Sequence, residues 1–440
     1  MTTVTAGRVR DVLAKHILAD GLDLVVDLER SEGSWLVDKK RGDRYLDFFS
    51  MYASMAVGYN HPGLRAVQES LGAIAIQKPS NADAYTETMA EFVETFSQIA
   101  IPDDLPHAFF IEGGALAVEN GLKAAFDWKV RKNLAAGETG ERGTQVIHFE
   151  QAFHGRSGYT LSLTNTHDSR KTKYFPKFKW PRILNPKLTF PLNAENLSQV
   201  ETAETKALEQ IRQALAAHGD DIAALIIEPI QGEGGDNHFR REFLQQLRQL
   251  CDENGVLFIL DEIQTGVGLT GRFWAHEHFD VRPDILVFGK KTQVCGILVS
   301  RRIDEADKNV FQESSRINST FGGNLVDMAR YTHILRIIEQ EKLVENAETQ
   351  GSLLLSEIRK IACEFPQLVS NPRGRGLMCA FDLPDSRIRD RMRAALMAEK
   401  LLILGCGEKS IRFRPHLNVS ADEIREGMEM VRTVLKKIAP

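Results

Sequence analysis

The chain runs to 440 residues with a formal charge of -5, and 43% of its residues are hydrophobic against 26% charged. This length exceeds the roughly 100 to 200 residues of a single domain, so more than one packed unit is expected, and the composition excludes disordered and fibrous classes. Lys plus Arg (55) and Asp plus Glu (60) nearly balance with no long block of one sign. That leaves nucleic acid and anionic membranes without an electrostatic footprint and makes small molecules the expected partner.

Met1 to Asp20 carries Arg8, Arg10, Asp11 and Lys15 around no apolar core, so it does not read as a secretory signal. Trp35 to Leu46 resembles a hairpin around Asp43, and Tyr59 to Pro62 a loop. From His107 onward, short apolar runs alternate with longer amphipathic stretches, the pattern of an α/β domain with a mostly parallel sheet. Strands are expected at His107 to Ile111, Thr144 to Phe149, Ile222 to Glu228, Val256 to Asp261 and Ile285 to Gly289. Helices are expected at Ala115 to Lys132 and Phe239 to Asn254, an exposed loop at Gly137 to Gly143, and irregular polar chain at Leu184 to Glu204.

After Asn324 two helical stretches, Leu325 to Leu343 and Thr349 to Cys363, precede strand-like pieces around Gly376 to Leu383, Leu401 to Leu404 and Ser410 to Arg414. Ser420 with Glu423 forms a capping box before Ile424, Met428, Val431 and Leu435, which recur at helical spacing. The expected organisation is an N-terminal segment (1–75), a large domain (76–324) and a small α+β domain (325–440). No apolar run approaches the ~20 residues that span a bilayer. The five scattered cysteines suit neither a disulfide framework nor a zinc site, so a reducing, cytoplasmic setting is expected.

The most informative stretch is Val256 to Gly296. One apolar strand ends in Asp261-Glu262, a second ends at Gly289 with Lys290-Lys291 beyond it, and in a parallel sheet both ends share the carboxyl edge where ligands bind. An acid and a lysine meeting there suit a pyridoxal phosphate site, with the lysine bonded to the cofactor and the carboxylate holding the pyridine nitrogen protonated. A strand-end acid capping a turn beside a surface lysine satisfies the same spacing. Glu112-Gly113-Gly114-Ala115 lies between a strand and a helix, where free amides favour an anion, although a plain turn reads the same way.

Leu260-Asp261-Glu262-Ile263-Gln264-Thr265-Gly266, with Asp284 to Phe288 and the lysine beyond, resembles the signature of the class III (ω-aminotransferase) family of fold-type I pyridoxal phosphate enzymes. The resemblance covers nearly the whole chain. It implies pyridoxal 5'-phosphate as cofactor and Lys290 as the lysine that binds it, with Lys291 the competing candidate. It further implies Asp261 on the ring nitrogen, Gly114 and Ala115 on the phosphate, Phe153 stacked on the ring and Gln264 at its phenolic oxygen. Thr320, in Asn318 to Asn324, would reach the phosphate in the neighbouring subunit of a homodimer, and His154 would hydrogen-bond behind the cofactor. Thr292-Gln293-Val294-Cys295-Gly296 departs from the glycine pair and proline that often follow the lysine in this family.

Arg156 matches a family position that binds the carboxylate far from the reacting amine, and Arg412 the arginine for the α-carboxylate of glutamate or 2-oxoglutarate. Each grips a carboxylate through a bidentate fork that Lys cannot supply. Glu233, in a glycine-rich loop, resembles a switch that neutralises Arg412 when an ω-amine enters, and the glycines beside it are expected to permit the movement. Tyr52 is a further candidate to line the pocket. The implied substrates are L-lysine as amino donor and 2-oxoglutarate as acceptor, giving 2-aminoadipate 6-semialdehyde and L-glutamate, with 4-aminobutyrate or ornithine as alternative donors.

Overall fold

In the computed structural model, which describes residues 4–438, the apolar runs in the middle of the chain form one seven-stranded sheet. Residues 1–3 and 439–440 of the two outer units lie outside the described residues. The strands are β1 (His107–Ile111), β2 (Gln145–Phe149), β3 (Arg182–Ile183), β4 (Ile222–Ile227), β5 (Leu257–Asp261), β6 (Ile285–Phe288) and β7 (Cys295–Val299). Their order in space is β1-β7-β6-β5-β4-β2-β3. Only β7 is antiparallel to its neighbours, so the other six end on one edge.

β4, β5 and β6 are buried along their whole length, which explains why they read as continuous apolar runs rather than alternating ones. Their side chains still sort by face. Ile226, Ile259 and Val287 pack with Val118, Leu122 and Trp128 of helix α1 (Gly114–Ala135), whereas Leu225, Phe258 and Leu260 pack with Phe243 and Leu247 of the helix Arg241–Glu253. Strand β7 is absent from the expected set because its five residues follow the lysine loop, which hides their strand character.

The C-terminal part holds a four-stranded antiparallel sheet in the order Ser370–Arg375, Met378–Asp382, Ser410–Phe413, Leu404–Cys406. Pro372 sits in its edge strand beside an irregular register, where a missing N–H costs little. The expected capping box is present: Ser420 N donates to Glu423 Oε2 at 2.8 Å and Glu423 N to Ser420 Oγ at 3.2 Å.

The N-terminal hairpin pairs Trp35–Val37 with Arg44–Asp47, and Leu401–Leu402 adds in parallel onto the second strand. We propose to keep the three-part division 1–75, 76–324 and 325–440, with the first part joined to the third by this mixed sheet. The stretch expected to be irregular is so only to Asn193, whose side chain caps a helix over Ala194–His218. That helix buries Val200, Glu204, Ala207, Leu208 and Ile211 alone, so its first turns are solvated and polar. Among the described residues no helix is long and apolar enough to cross a membrane.

Candidate active site

Asp261 is the last residue of β5, and its carboxylate is buried at the carboxyl edge of the sheet. His154, five residues beyond β2, donates from Nδ1 to Asp261 Oδ2 at 2.8 Å, and Ile263 N donates to Oδ1 at 3.1 Å. The His154 ring is buried and its Nε2 has no partner. Lys290 follows β6 after Gly289 in a left-handed conformation at φ 54°. Burial first, and then the nearby Arg412 guanidinium, lowers its ammonium to a pKa of about 7.

Lys290 lines a cavity of about 330 Å³ together with Gly114, Ala115, Phe153, His154, Arg156, Glu228, Glu233, Asp261 and Gln264. Lys291 does not line it: its side chain is buried and donates to the Gln264 carbonyl at 3.1 Å. Of the two candidate lysines, Lys290 is the one that faces the cavity.

The floor of the cavity includes the start of α1. Its N-cap is Gly113 at φ 96°, a conformation that suits glycine, and no side chain caps the first turn. No acidic residue lies in that turn, so the amides and the helix dipole of a 22-residue helix remain available to an anion.

Glu228 is a residue the sequence reading passed over. It follows β4 on the same edge, accepts from Phe153 N at 2.9 Å and from Gly232 N at 3.0 Å, and is buried. Burial raises its carboxyl to about 7, with the Asp261 charge adding to the rise and His154 opposing it. The signal that could have found it is its place beside Pro229 at a strand end, the rule that found Asp261.

Gln264 spans two groups: Nε2 donates to the Tyr52 carbonyl at 3.1 Å and Oε1 accepts from Arg412 Nη1 at 3.4 Å. Tyr52 sits in a turn, Ser50 to Ala53, whose four non-glycine residues have φ of 40°, 51°, 61° and 65°. Such a left-handed run costs roughly 1–2 kcal/mol per residue and needs external support. Asp47 Oδ1 supplies it by accepting from Phe49 N and Ser50 N, both at 2.8 Å, while Ser50 Oγ donates to the Arg414 carbonyl at 2.6 Å.

Arg412 is 5% exposed and its Nε is buried without a partner. Among the described residues no carboxylate forms a salt bridge with it, nor with Arg156, which is exposed at the mouth of the cavity. Glu233 is turned to other partners: Oε1 accepts from Lys171 Nζ at 2.5 Å and Thr166 Oγ1 at 2.8 Å, and Oε2 is buried without a partner. Thr320 does not line the cavity of its own chain. It is exposed, and its carbonyl accepts from Ser80 Oγ.

A buried, readily deprotonated lysine facing an aspartate-histidine pair, with a helix start open to an anion, defines a site for a phosphorylated carbonyl cofactor with a protonable ring nitrogen. The chain belongs to the aminotransferase class-III family, whose model matches residues 18–435. It is 51% identical over 98% of its length to the L-lysine-epsilon aminotransferase of Mycobacterium bovis, covering 96% of that protein. The lysine aminotransferase from M. tuberculosis, solved in its internal aldimine form, superposes with a TM-score of 0.97 at 51% identity, covering 99% of this chain and 100% of that one. The human mitochondrial 4-aminobutyrate aminotransferase is 32% identical over 91% of this chain and 82% of its own.

Proposed function

We propose that the protein uses pyridoxal 5'-phosphate to move the 6-amino group of L-lysine to 2-oxoglutarate, giving 2-aminoadipate 6-semialdehyde and L-glutamate. The observation that carries the acceptor half is the pair of arginines free of carboxylate partners. Arg412 is buried beside Gln264 and Arg156 stands at the mouth, an arrangement suited to a molecule with a carboxylate at each end. The relatives named for lysine, near 50% identical, favour L-lysine over 4-aminobutyrate as donor, the protein named for the latter standing at 32%.

Lys290, Asp261, Gly114, Ala115, Phe153 and Gln264 would hold the cofactor, which supplies a carbonyl that takes up an amino group and a ring that draws electrons from the adjoining carbon. Lys290, with its pKa near neutrality, is suited both to take and to return the proton at the carbon bearing the transferred nitrogen. Asp261, oriented by His154, presents negative charge to a protonated ring nitrogen. Arg156 takes the carboxylate of L-lysine, remote from its reacting amine. For 2-oxoglutarate, Arg412 takes the carboxylate beside the reacting carbon and Arg156 the distal one.

The test is a set of separate half-reactions on the cofactor-loaded protein, followed by loss of the visible band of lysine-linked cofactor. L-lysine is expected to discharge the band faster than 4-aminobutyrate or ornithine, and 2-oxoglutarate to restore it. A preference for 4-aminobutyrate would overturn the donor assignment.

The functional unit in this reading is a homodimer, because Thr320 is exposed and away from its own cavity yet expected on a phosphate. Mixed subunits check this. Lys290→Ala and Thr320→Val chains, each poorly active alone, should regain activity when co-refolded, since one of the two sites in a mixed dimer is then intact. No recovery in verified mixed dimers counts against the shared site. The five cysteines, none disulfide-bonded, support a reducing, cytoplasmic setting.

A further inference from the structure

Glu233 stands between two cavities. It lines the one that holds Lys290, and it lines a second, of about 600 Å³, with Thr166, Lys171, Arg389 and Arg393. Its carboxylate is committed to the second side, where one oxygen accepts from both Lys171 Nζ and Thr166 Oγ1. The other oxygen is buried and unbonded, so the side chain is held at one end only. A competing cation lies near. The position of a Cβ on Gly232 would fall 2.7 Å from Gln264 Oε1, the same oxygen that accepts from Arg412 Nη1. The loop carrying Glu233 and the unpaired Arg412 therefore meet across one amide.

The loop backbone itself is fixed, contrary to the hinge expected from its glycines. Gly407 N donates to the Glu233 carbonyl at 2.7 Å, and Gly232 N is held by Glu228 Oε2 at 3.0 Å. Gly232 and Gly234 are there for close approach, since a Cβ on Gly234 would sit 2.1 Å from the Gln151 carbonyl oxygen. Any exchange of Glu233 between its two cationic neighbours is thus a side-chain rotation, and its balance depends on what each neighbour offers.

We propose that Lys171, assisted by Thr166, is the dock that keeps Glu233 away from Arg412, and so sets the preference of the site for a dicarboxylate over a long amine. This rests on the lysine-to-2-oxoglutarate reading above. With Glu233 on Lys171, Arg412 is free for a carboxylate beside the reacting carbon. With Lys171 gone, Glu233 loses its bonded cation on the side of the second cavity, where Arg389 is already held by Asp390 and the Gly407 carbonyl and Arg393 remains as a competitor. Pairing of Glu233 with Arg412 then makes the deep end of the first cavity neutral, which suits the 6-amino end of L-lysine. Lys171 is a positioning residue in this scheme and touches neither the substrate nor the cofactor.

The experiment measures half-reaction efficiencies of the cofactor-loaded protein with L-lysine and with L-glutamate, and the dissociation constant of glutarate as a non-reacting dicarboxylate. Lys171→Met is expected to raise the lysine-to-glutamate efficiency ratio by about tenfold and to weaken glutarate by a similar factor, the scale of one partly exposed charge-assisted bond. Thr166→Val should shift both the same way by less, and Lys171→Arg should restore the parent ratio. In a Glu233→Gln background, Lys171→Met should leave the ratio where Glu233→Gln put it. An unchanged ratio in Lys171→Met, or an equal shift in the Glu233→Gln background, overturns the dock while leaving the transfer reading intact. Failure of the parent protein to react with either amine overturns the transfer reading instead.

Discussion

Lys290→Ala is expected to lower amino transfer by at least about 10³-fold, the scale of a lost general base, and to abolish the visible band of lysine-linked cofactor. The neighbouring lysine is the sharp control. Lys291 is buried and donates from Nζ to the Gln264 carbonyl, so Lys291→Ala should keep the band and cost stability through an unpaired buried carbonyl, about 1–3 kcal/mol. The reverse pattern, band lost in Lys291→Ala and kept in Lys290→Ala, would reassign the site. A pH series tests the burial of the reacting amine, a feature that both lysines share, so it complements the two variants without replacing them. The amine must be neutral to bond the cofactor, and burial sets the Lys290 pKa at about 7 rather than near the usual 10.5. Cofactor uptake by the apoprotein should therefore climb as pH rises through 7 and level off above it. Continued climbing toward pH 10 would mean that the reacting amine is an ordinary solvated lysine.

The site was legible where chemistry coincides with strand ends. Asp261 ends a strand, and Lys290, Phe153 and the Gly114 amides follow strands that run parallel to it in one sheet, so alternation of short apolar runs was enough to bring them to a common edge, while their individual roles came from the resemblance. Glu228 obeys the same rule, standing directly after Ile222–Ile227, and was missed because that position was read only as the end of a strand. Arg412 was found by resemblance alone. Its placement depends on a strand of the small domain, and no local spacing tells that Ser410–Phe413 turns it toward Gln264. The contacts of Glu233 were illegible for another reason. Lys171 and Thr166 lie some sixty residues earlier, on either side of Asp168, which caps a short turn whose local chemistry says nothing of a distant carboxylate. The glycines flanking Glu233 were visible but misread, since freedom to move and freedom from a Cβ leave the same letter in the sequence.

Asp236→Ala is expected to destabilise the protein by about 3–5 kcal/mol, the cost of leaving a buried charge without its partner. Asp236 and Arg414 form a two-bond ion pair whose side chains are 0% and 1% exposed, and Arg414 Nε is already buried without an acceptor. Removing the carboxylate leaves the guanidinium its charge and only the Phe413 carbonyl as acceptor, where no water reaches it. The consequence spreads because Arg414 also ties the chain together through its backbone: its N donates to the Phe48 carbonyl, and its own carbonyl accepts from Ser50 Oγ at the left-handed turn that carries Tyr52. Asp236 itself closes the glycine loop bearing Glu233, at φ 49°, a conformation alanine tolerates less well. Asp236→Asn isolates the charge, since asparagine tolerates that backbone and keeps one acceptor, so it should lose less than the alanine variant. Asp236→Leu combined with Arg414→Met, which removes both charges, should recover most of the stability lost by Asp236→Ala. Urea midpoints at unchanged slope are the measurement. A loss under about 1 kcal/mol in Asp236→Ala would mean that Arg414 finds another acceptor, and that the loop beneath Glu233 is held by its glycine contacts rather than by this pair.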